Sequence, residues 1–509
     1  MDTNLKILLL NPPFLPRFSR PQRSPAVIKS GTLYYPIWLS YATGVLEEGG
    51  YEVKLIDAPA EGYEIDTVKD IVRDFKPSMI VVDTSTPSIF SDIRVAEALK
   101  EIHSESFFVL VGTHVSATPE ESLNLSESIN AIARREYDYT LLELANIIKS
   151  EGPRPSQKKL KSVLGISFRS NSKIIHNQDR PLIKNLDEIP FVSMVYKKHL
   201  KVENYFYSIT RYPEITIVTG RGCPHHCKYC VYPQTMFGHV FRHRSPENVV
   251  EEFRYIKENF PQVKEIFIED DTMTVNRKYC QDVCKLLIKE GIEMTWTANS
   301  RADIDFETLK LMKEAGCRLL CIGVESGNQR ILDNINKRLK LHQVQEFMKS
   351  ARKAKILIHA CFMVGNPGET KDTMKETLNF AKRLKPDTAQ FFPLMVYPGT
   401  EAYNWAKGYG YLTTTDYSQW ITEEGLHNCI ISTPVLSNKE LVDFCDYARR
   451  SFYLRASYIF SKISQMIVHP SESKRIIKAT RTFFKYLLKG SNANSSSQMF
   501  DHSHTQAKR

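Results

Sequence analysis

The most informative stretch of the chain reads Thr219-Gly-Arg-Gly-Cys-Pro-His-His-Cys-Lys-Tyr-Cys-Val231. Its cysteines form a C-x3-C-x2-C triplet: Cys223, Cys227 and Cys230. The apolar run 214–219 before them is typical of a buried strand, so the triplet follows the carboxyl end of that strand, where α/β folds collect their ligands. Iron–sulfur clusters usually take four cysteines, and a triplet leaves one iron open. A structural zinc site completed by His225 or His226 is the alternative.

Further segments follow the triplet, and each has the pattern of a strand that ends in polar or glycine-rich residues: 265–272, 296–303, 319–327, 361–370 and 392–400. Their order, together with the aromatic Tyr229 before the last cysteine, resembles the radical S-adenosylmethionine (SAM) superfamily. The resemblance implies a partial (β/α) TIM-type barrel with a 4Fe–4S cluster on the triplet. It also implies that SAM binds the open iron and is cleaved by one electron to a 5′-deoxyadenosyl radical, which abstracts hydrogen from a substrate carbon.

The resemblance assigns SAM contacts to a set of residues on the triplet loop and after the strands: Tyr229, Asp270, Ser300, Arg301, Glu325, Ser326 and Gly365. Tyr229 is expected beside the adenine, whereas Asp270, Ser300 and Glu325 are expected at the ribose and methionine ends. Glu325 lies in a glycine-flanked turn, where a bare backbone lets a nucleoside approach closely. For Asp270 the alternative is a carboxylate that only caps the next helix. No catalytic residue is assigned beyond the cluster and SAM sites.

Residues 1–150 alternate short apolar runs with helical patterns. The runs predict strands at 7–10, 53–56, 79–82, 107–111 and 129–133. Such alternation predicts an α/β domain with a doubly wound, Rossmann-like parallel sheet, which binds ligands beyond the carboxyl ends of its strands. No G-x-G-x-x-G follows the first run, and its absence disfavours a nicotinamide dinucleotide.

One turn of this domain, Gly112-Thr-His-Val-Ser-Ala-Thr-Pro119, resembles the glycine-and-histidine turn of the cobalamin-binding module in cobalamin-dependent radical SAM enzymes. The resemblance implies cobalamin contacts from the following residues: Asn11, Thr84, Ser85, Gly112, Thr113, His114, Arg134 and Glu136. Two features depart from the family. The sequence D-x-H-x-x-G is absent, and the usual Gly-Glu-Gly-Glu is replaced by Ala133-Arg-Arg-Glu-Tyr-Asp138. A degenerate module that has lost cobalamin and serves as a substrate or docking domain is therefore the alternative.

Short motifs indicate one branch of the family. Leu33-Tyr-Tyr-Pro-Ile-Trp-Leu39 and Ala448-Arg-Arg-Ser-Phe-Tyr-Leu-Arg-Ala-Ser-Tyr458 resemble the branch of the anaerobic magnesium-protoporphyrin ester cyclase and of the enzymes that tailor hopanoids or archaeal lipids. The resemblance implies cobalamin-dependent methyl transfer to an unactivated carbon. The alternatives are an enzyme that forms C–C or ring bonds on a lipid or tetrapyrrole, and a non-catalytic cobalamin- or zinc-binding sensor. The implied partners are a small-molecule or lipid substrate and an electron donor such as ferredoxin or flavodoxin.

The composition of the 509 residues is that of a globular chain, with 42% hydrophobic and 25% charged residues. A net charge of +10 is no signature of nucleic-acid binding at this length, so no nucleic-acid partner is predicted. The ten cysteines show no disulfide framework, and those outside the triplet are interpreted as reduced core thiols. The sequence has neither a signal-peptide pattern nor an apolar run long enough to span a membrane, so a cytoplasmic enzyme is expected.

The same patterns predict the domain boundaries. We expect the Rossmann-like domain over 1–150, a linker with a small hairpin over 151–205, the barrel over 206–412, a helical cap over 413–490 and a disordered tail over 491–509. The helices predicted within 438–489 are basic and amphipathic. They are interpreted as a cap whose apolar stripe packs on the barrel, and peripheral contact with an anionic membrane surface is the alternative.

Overall fold

A computed structural model describes residues 5–171 and 173–468 of the chain. Its N-terminal part contains a sheet with the strand order β2-β1-β3-β4-β5-β6-β7. The strands are β1 (Lys6–Asn11), β2 (Glu52–Asp57), β3 (Met79–Asp83), β4 (Phe107–Val111), β5 (Ala131–Ala133), β6 (Ile166–Ser170) and β7 (Lys173–His176). β1 to β5 pair in parallel and are mostly buried, as strands covered by helices on both faces must be. The predicted doubly wound sheet is confirmed.

The helices of this part follow the strands in alternation: α1 (Ile37–Glu48), α2 (Ala58–Glu61), α3 (Ile65–Phe75), α4 (Ile89–Ile102), α5 (Thr113–Ala117), α6 (Pro119–Asn124), α7 (Asp138–Glu151) and α8 (Gln157–Leu160). The predicted hairpin is present as β6 and β7, but it does not stand in a separate linker. β6 pairs antiparallel with β5, so the hairpin extends the N-terminal sheet beyond residue 150. The pairing covers the edge of β5, whose backbone groups would otherwise stay open.

The second large sheet has the order β15-β14-β13-β12-β11-β8, and its neighbouring strands are parallel. Its strands and the two-stranded ribbon β9/β10 are β8 (Glu214–Ile217), β9 (Gly220–Arg221), β10 (Arg242–His243), β11 (Glu265–Ile268), β12 (Trp296–Ser300), β13 (Cys317–Glu325), β14 (Leu357–Val364) and β15 (Thr388–Pro393). Each of the segments predicted as barrel strands overlaps one of these strands, in the predicted order, although β13, β14 and β15 begin before their predicted segments. The partial barrel is confirmed.

Helices connect the barrel strands and precede them: α9 (Val192–His199), α10 (Pro246–Asn259), α11 (Arg277–Lys289), α12 (Phe306–Glu314), α13 (Gln329–Asn334), α14 (Leu341–Lys353), α15 (Lys371–Leu384) and α16 (Glu401–Gly408). Alternate strand residues such as Ile266, Leu320 and Ile358 are buried in one apolar core with these helices. The residues between them face the other side of the sheet, which we call the lumen. Polar lumen residues such as Asn299 and Gln390 keep some exposure, so this face is available to ligands.

The described chain ends in two helices, α17 (Asn438–Tyr453) and α18 (Ala456–Val468). α17 packs on the barrel, and a side chain at Gly365 would approach Leu441 of α17 within 2.9 Å. This contact is what the predicted cap requires of α17, and the extent of the cap over 413–490 stays a prediction. The basic run 474–489 and the predicted disordered tail lie outside the described residues. Within the described ranges, no helix has the length and apolar character needed to cross a bilayer.

Buried ion pairs join the two large sheets. Arg221, just before the cysteine triplet, contacts Asp138 at 2.8 Å and Glu136 at 3.2 Å, both of which lie beyond β5. Arg242, on the ribbon strand β10, forms an ion pair with Glu136 at 2.8 Å. Each buried carboxylate therefore has a cationic partner from the other domain, and loss of one partner would leave a buried charge uncompensated. This network fixes the triplet loop against the N-terminal domain.

Candidate cofactor site

The cysteine triplet lies on the loop that follows β8, and backbone contacts hold this loop. Gly222 has φ +84°, and a side chain there would come within 2.3 Å of the Val240 carbonyl oxygen. The Gln234 amide donates to the carbonyl oxygens of Cys227 and Cys230, at 3.3 and 2.8 Å. Glycine is therefore required where the loop begins, and one glutamine side chain fixes the loop where it ends.

The spacing of the triplet fits a cluster better than a single ion. Tetrahedral zinc with Zn–S bonds of about 2.3 Å brings its ligands to about 3.8 Å from one another. Across the described ranges, the triplet and its neighbouring histidines do not form a group of three ligand atoms within 4.8 Å of one another. Thiolates that bind three different irons must stand farther apart. His226, a proposed fourth zinc ligand, instead stacks on His239 with ring centroids 4.0 Å apart.

Burial raises the pKa values of two thiols of the triplet. It raises the pKa of the Cys223 thiol to about 11, and the nearby Asp271 carboxylate adds to this shift. Burial also raises the pKa of Cys230 well above its usual value, with Asp271 again the next contributor. Thiols in such surroundings stay protonated until a metal deprotonates them by coordination. The sulfur atoms therefore suit a cationic cluster and not a free reactive thiolate.

A buried triad connects the triplet loop to the end of β13. The Tyr229 hydroxyl donates to Glu325 Oε1 at 2.8 Å, and Lys337 Nζ donates to the same oxygen at 2.8 Å. Lys337 Nζ also lies 3.1 Å from the Tyr229 hydroxyl. Burial opposes the charge of Lys337, yet the Glu325 carboxylate beside it raises the pKa of the ammonium. Two predicted SAM residues, Tyr229 and Glu325, are thus brought together, and Lys337 completes the group.

The backbone at Glu325 is unusual. Its φ is +67°, in the left-handed region that non-glycine residues rarely adopt, and the register between β13 and β14 shifts at this point. The Glu325 side chain folds back over Gly323, where a Cβ atom would meet Glu325 Oε1 at 2.1 Å. Strain of this kind persists only where the surroundings enforce it, and it is common at functional sites.

A short turn, residues 335–338, clamps the triplet loop from outside. The Lys228 amide donates to the Ile335 carbonyl at 3.1 Å, and the Asn336 side chain donates to the His226 carbonyl at 2.9 Å. Arg301 in turn donates to the backbone carbonyls of Lys337 and Arg338 at 3.0 to 3.2 Å. Arg301, predicted to touch SAM, is thus engaged in supporting this turn, which carries Lys337.

Other predicted SAM residues are bonded inside the protein. The Asp270 carboxylate accepts the Thr219 amide and hydroxyl, both at 2.6 Å, and burial raises its pKa to about 7. It braces the loop after β8 and does not cap a helix. The Ser300 hydroxyl contacts Thr274 at 3.0 Å, and that of Ser326 contacts Thr377 at 3.1 Å. These side chains hold the carboxyl ends of the strands in place, so their contact with SAM stays a prediction.

The connection between β1 and α1 supplies a residue that the sequence patterns did not single out. Arg23 reaches from the N-terminal domain to the end of β11, where it forms an ion pair with Glu269 and contacts Asp271 at 3.1 Å. Its guanidinium lies over the Tyr232 ring, 5.1 Å from the centroid, two residues after the last triplet cysteine. Arg23 therefore neutralises an acidic strand end beside the triplet.

The carboxyl edge of the N-terminal sheet has features that fit a large polar cofactor. Gly112 has φ +121°, and a side chain there would come within 2.4 Å of the Thr84 carbonyl oxygen. His114 is buried, its Nδ1 lies 3.1 Å from the Thr86 hydroxyl, and burial lowers its pKa to about 3. Among the described residues, His114 Nε2 has no hydrogen-bond partner. A buried polar atom without a partner fits a ligand at this turn, which also includes Thr113.

Most other predicted cobalamin residues have side chains that are already engaged. Asn11 donates to Asp57 at 2.8 Å, Thr84 donates to the Val111 carbonyl at 2.7 Å, and the Ser85 hydroxyl lies 2.7 Å from that of Ser88. Arg134 donates to Ser167 at 2.8 Å, and the Glu136 carboxylate forms the ion pairs between the domains. These residues therefore support the edge. Among the predicted cobalamin residues, His114 Nε2 and Arg134 Nε are the buried side-chain atoms without a hydrogen-bond partner in the described part of the chain.

Comparisons with known proteins agree with both halves of this site. Residues 217–381 match the Radical SAM superfamily, and residues 23–145 match the B12 binding domain. The chain is 32% identical over 460 residues to an uncharacterized methyltransferase of Pyrococcus horikoshii, covering 90% of this chain and 95% of that one. It is 26% identical over 427 residues to the anaerobic magnesium-protoporphyrin IX monomethyl ester cyclase of Cereibacter sphaeroides, covering 82% and 67%.

A solved structure shows the same fold. The radical SAM methyltransferase TsrM from Kitasatospora setae, with cobalamin and a 4Fe–4S cluster bound, gives a TM-score of 0.65 at 14% identity, covering 87% of this chain and 89% of that one. A Rossmann-like domain beside a partial barrel with a cysteine triplet defines a radical enzyme with a second cofactor. The chain belongs to the cobalamin-dependent radical SAM methyltransferase family, and as an enzyme of this family it uses a 4Fe–4S cluster, SAM and cobalamin.

Some site residues were invisible to sequence reasoning. Lys337 and Arg23 lie in loops with no repeating pattern, and only the fold brings them to Glu325 and Glu269. Cys321 and Cys361 were interpreted as core thiols, but their alternation with buried neighbours directs both to the lumen, where they keep some exposure. A strict count of the strand period from Leu320 and Ile322 would have found this.

Proposed function

We propose that this enzyme transfers a methyl group to an unactivated carbon of a small molecule held in the lumen, next to the triplet loop. The observation that supports it best is the presence of one ligand-ready feature on each domain: the cysteine triplet, and the 112–114 turn with its unsatisfied His114 nitrogen. The similarity to the Pyrococcus horikoshii methyltransferase over nearly its whole length supports methyl transfer as the reaction.

In this proposal the chain supplies placement. Cys223, Cys227 and Cys230 hold the cluster, and Gly112, Thr113 and His114 meet the cobalamin. When bound, the cluster supplies the electron that cleaves SAM, and the cobalamin carries the methyl group. Tyr229, Glu325 and Lys337 fix the loop next to SAM, while the remaining predicted contacts hold the strand ends. Substrate bound in the lumen must itself help to exclude water from a reactive primary radical.

The proposed reaction is tested by anaerobic reconstitution followed by product analysis. Protein loaded with iron, sulfide and cobalamin and reduced with dithionite should form 5′-deoxyadenosine from SAM, and the product should gain one methyl group per substrate turnover. Because one SAM gives the methyl group and another gives the radical, two SAM molecules should be consumed per product. Substrate consumption without a mass gain would contradict methyl transfer. An absence of both cluster and deoxyadenosine would instead favour a non-catalytic sensor.

A ring-forming reaction is the second candidate. The Cereibacter sphaeroides relative is a cyclase, and its alignment covers 82% of this chain. The lumen argues for a polar substrate over a bare hydrocarbon, since Asn299, Thr388 and Gln390 face it. Product mass separates the two reactions, because ring closure on a tetrapyrrole or lipid leaves no added methyl carbon. The same assay therefore decides between them.

We also propose that the electron donor is an acidic protein of the ferredoxin or flavodoxin type, which docks beside the clamping turn. Lys228 belongs to the triplet loop. Arg338 and Lys340 are exposed at the end of the turn that clamps this loop. Replacing Arg338 and Lys340 by glutamate should slow SAM cleavage roughly tenfold at low salt when the electron comes from such a protein. With dithionite as donor the rate should not change. Equal rates with both donors would contradict this docking face.

We propose a cytoplasmic enzyme that touches membranes through α18, because apolar side chains at helical spacing are exposed there: Ile459, Phe460, Ile463 and Ile467. The full chain should float with vesicles rich in anionic lipid, and Phe460→Glu with Ile467→Glu should abolish flotation. Flotation that is equal in both proteins would show that this face is not the contact.

A further inference from the structure

Potential metal ligands meet in the lumen at a place separate from the triplet. Cys321 lies on β13, and His359 and Cys361 lie on β14. Cys321 is directly opposite His359 in the strand register, and Cys361 is two residues farther along the same strand. One ligand atom from each residue lies within 4.8 Å of the other two, and no second group of three shares this property within 5–171 and 173–468.

The surroundings of this cluster resemble those of a metal site. His359 is buried, and its Nδ1 lies 2.8 Å from the Thr388 hydroxyl on the neighbouring strand β15. Histidines that bind metals usually hold one ring nitrogen in such a hydrogen bond, which orients the other nitrogen. Cys321 and Cys361 each keep some exposure as residues, and their side chains contact one another. The strands that carry the ligands are rigid, paired elements, which favours defined coordination.

The ligand types indicate the ion. Two thiolates and one imidazole are soft and borderline donors that suit Zn²⁺, and three protein ligands with one open position are typical of zinc sites that bind substrate. Zn²⁺ with two thiolates and a neutral imidazole carries no net charge, so its burial needs no counter-ion. The binding step balances, because two thiols release two protons as one ion is bound.

We propose that Cys321, His359 and Cys361 bind one Zn²⁺ ion in the lumen, with the fourth position open to a heteroatom of the substrate. This site lies on the interior strands β13 and β14, and Cys361 interacts with Glu325 and Lys337, so a substrate held next to the triplet loop is near it. The buried pair Cys280 and Cys284 offers a comparison within the same chain. These thiols are four residues apart on α11, inside the apolar core; Cys317 is a third thiol near them, but among the described residues the three sulfur atoms do not lie within 4.8 Å of one another.

The test uses holoenzyme that already carries its 4Fe–4S cluster, so the triplet is occupied. The protein is treated with chelator, exposed to Zn²⁺ alone, desalted and analysed for zinc and iron per chain. Wild type should hold one zinc and release two protons on binding it. Cys321→Ala/Cys361→Ala should hold none, and His359→Ala should bind at least tenfold more weakly. The matched control, Cys280→Ala/Cys284→Ala, should hold one zinc, and all variants should keep the iron content of wild type.

Zinc retained in Cys321→Ala/Cys361→Ala, zinc lost equally in both double variants, or no zinc in wild type would each overturn the proposal. A second measurement needs no variant. Co²⁺ added to wild-type holoenzyme should give the intense absorption of thiolate-to-cobalt charge transfer, and its absence would also overturn the site. The iron content and deoxyadenosine formation are recorded separately, so a failure of the zinc site is distinguishable from a failure of the proposed methyl transfer.

Discussion

Cys227→Ala will lower the iron content from about four per chain to background after anaerobic reconstitution, and deoxyadenosine formation will fall to background with it. Cys227 is the buried member of the triplet, and its carbonyl oxygen accepts both the Cys230 amide and the Gln234 side chain. The substitution removes one of three protein ligands but leaves the backbone that shapes the loop. The expected loss is therefore one of coordination and not of folding.

Cys280→Ala is the matched control for this experiment. Cys280 is equally a buried thiol, but it lies on α11 in the apolar core and does not belong to the triplet. This variant should keep its iron, its visible chromophore and its SAM cleavage. Cleavage that persists in Cys227→Ala would refute the assignment of the cluster to the triplet. Iron lost from both variants would show that the reconstitution reports on folding instead.

Lys337→Met should produce the second large effect, on stability and on SAM binding together. Lys337 and Glu325 are both buried, and their contact of 2.8 Å is reinforced by the Tyr229 hydroxyl. Removing one partner of a buried ion pair leaves an uncompensated charge, which costs about 3–5 kcal/mol of the free energy of unfolding. Because Tyr229 belongs to the triplet loop, the affinity for SAM should fall as well. Urea unfolding and equilibrium SAM binding measure the two effects.

Two further variants test whether the effect comes from the buried ion pair. Lys340→Met removes a lysine whose side chain is 54% exposed and pairs with Asp333 at 3.5 Å, so it should change the free energy of unfolding by less than about 1 kcal/mol. Lys337→Met combined with Glu325→Gln removes both buried charges and should recover most of the lost stability. Equal stability of Lys337→Met and wild type would mean that the triad is not coupled.

The fold was readable from the sequence because it rests on local patterns. The run before Cys223, the apolar segments around Ile268 and Leu320, and the alternation of strands with helices within 1–150 each have a period that a strand or helix imposes. The hairpin 166–176 was also found, but its pairing with β5 was not, because pairing between strands leaves no mark in the local pattern.

The candidate site was only partly readable. Cysteine spacing identifies the triplet, since three thiolates must reach one cluster from one short loop. The roles of Asp270, Ser300 and Arg301 could not be inferred in the same way. Their side chains bond to Thr219, Thr274 and the 337–338 backbone, which are distant in sequence. A motif shows that a residue stands near a ligand site, but not whether its side chain faces the ligand or the protein.

The sequence by itself determined the class of this protein, because the triplet and the order of the strands depend on neighbours along the chain. Only the tertiary structure decided which charges meet. Glu325 with Lys337, Glu269 with Arg23, and Cys321 with His359 and Cys361 come from separate segments. The physical reason is that electrostatic and coordination contacts act over a few ångströms of space, whereas sequence patterns record only the repeat of each strand or helix.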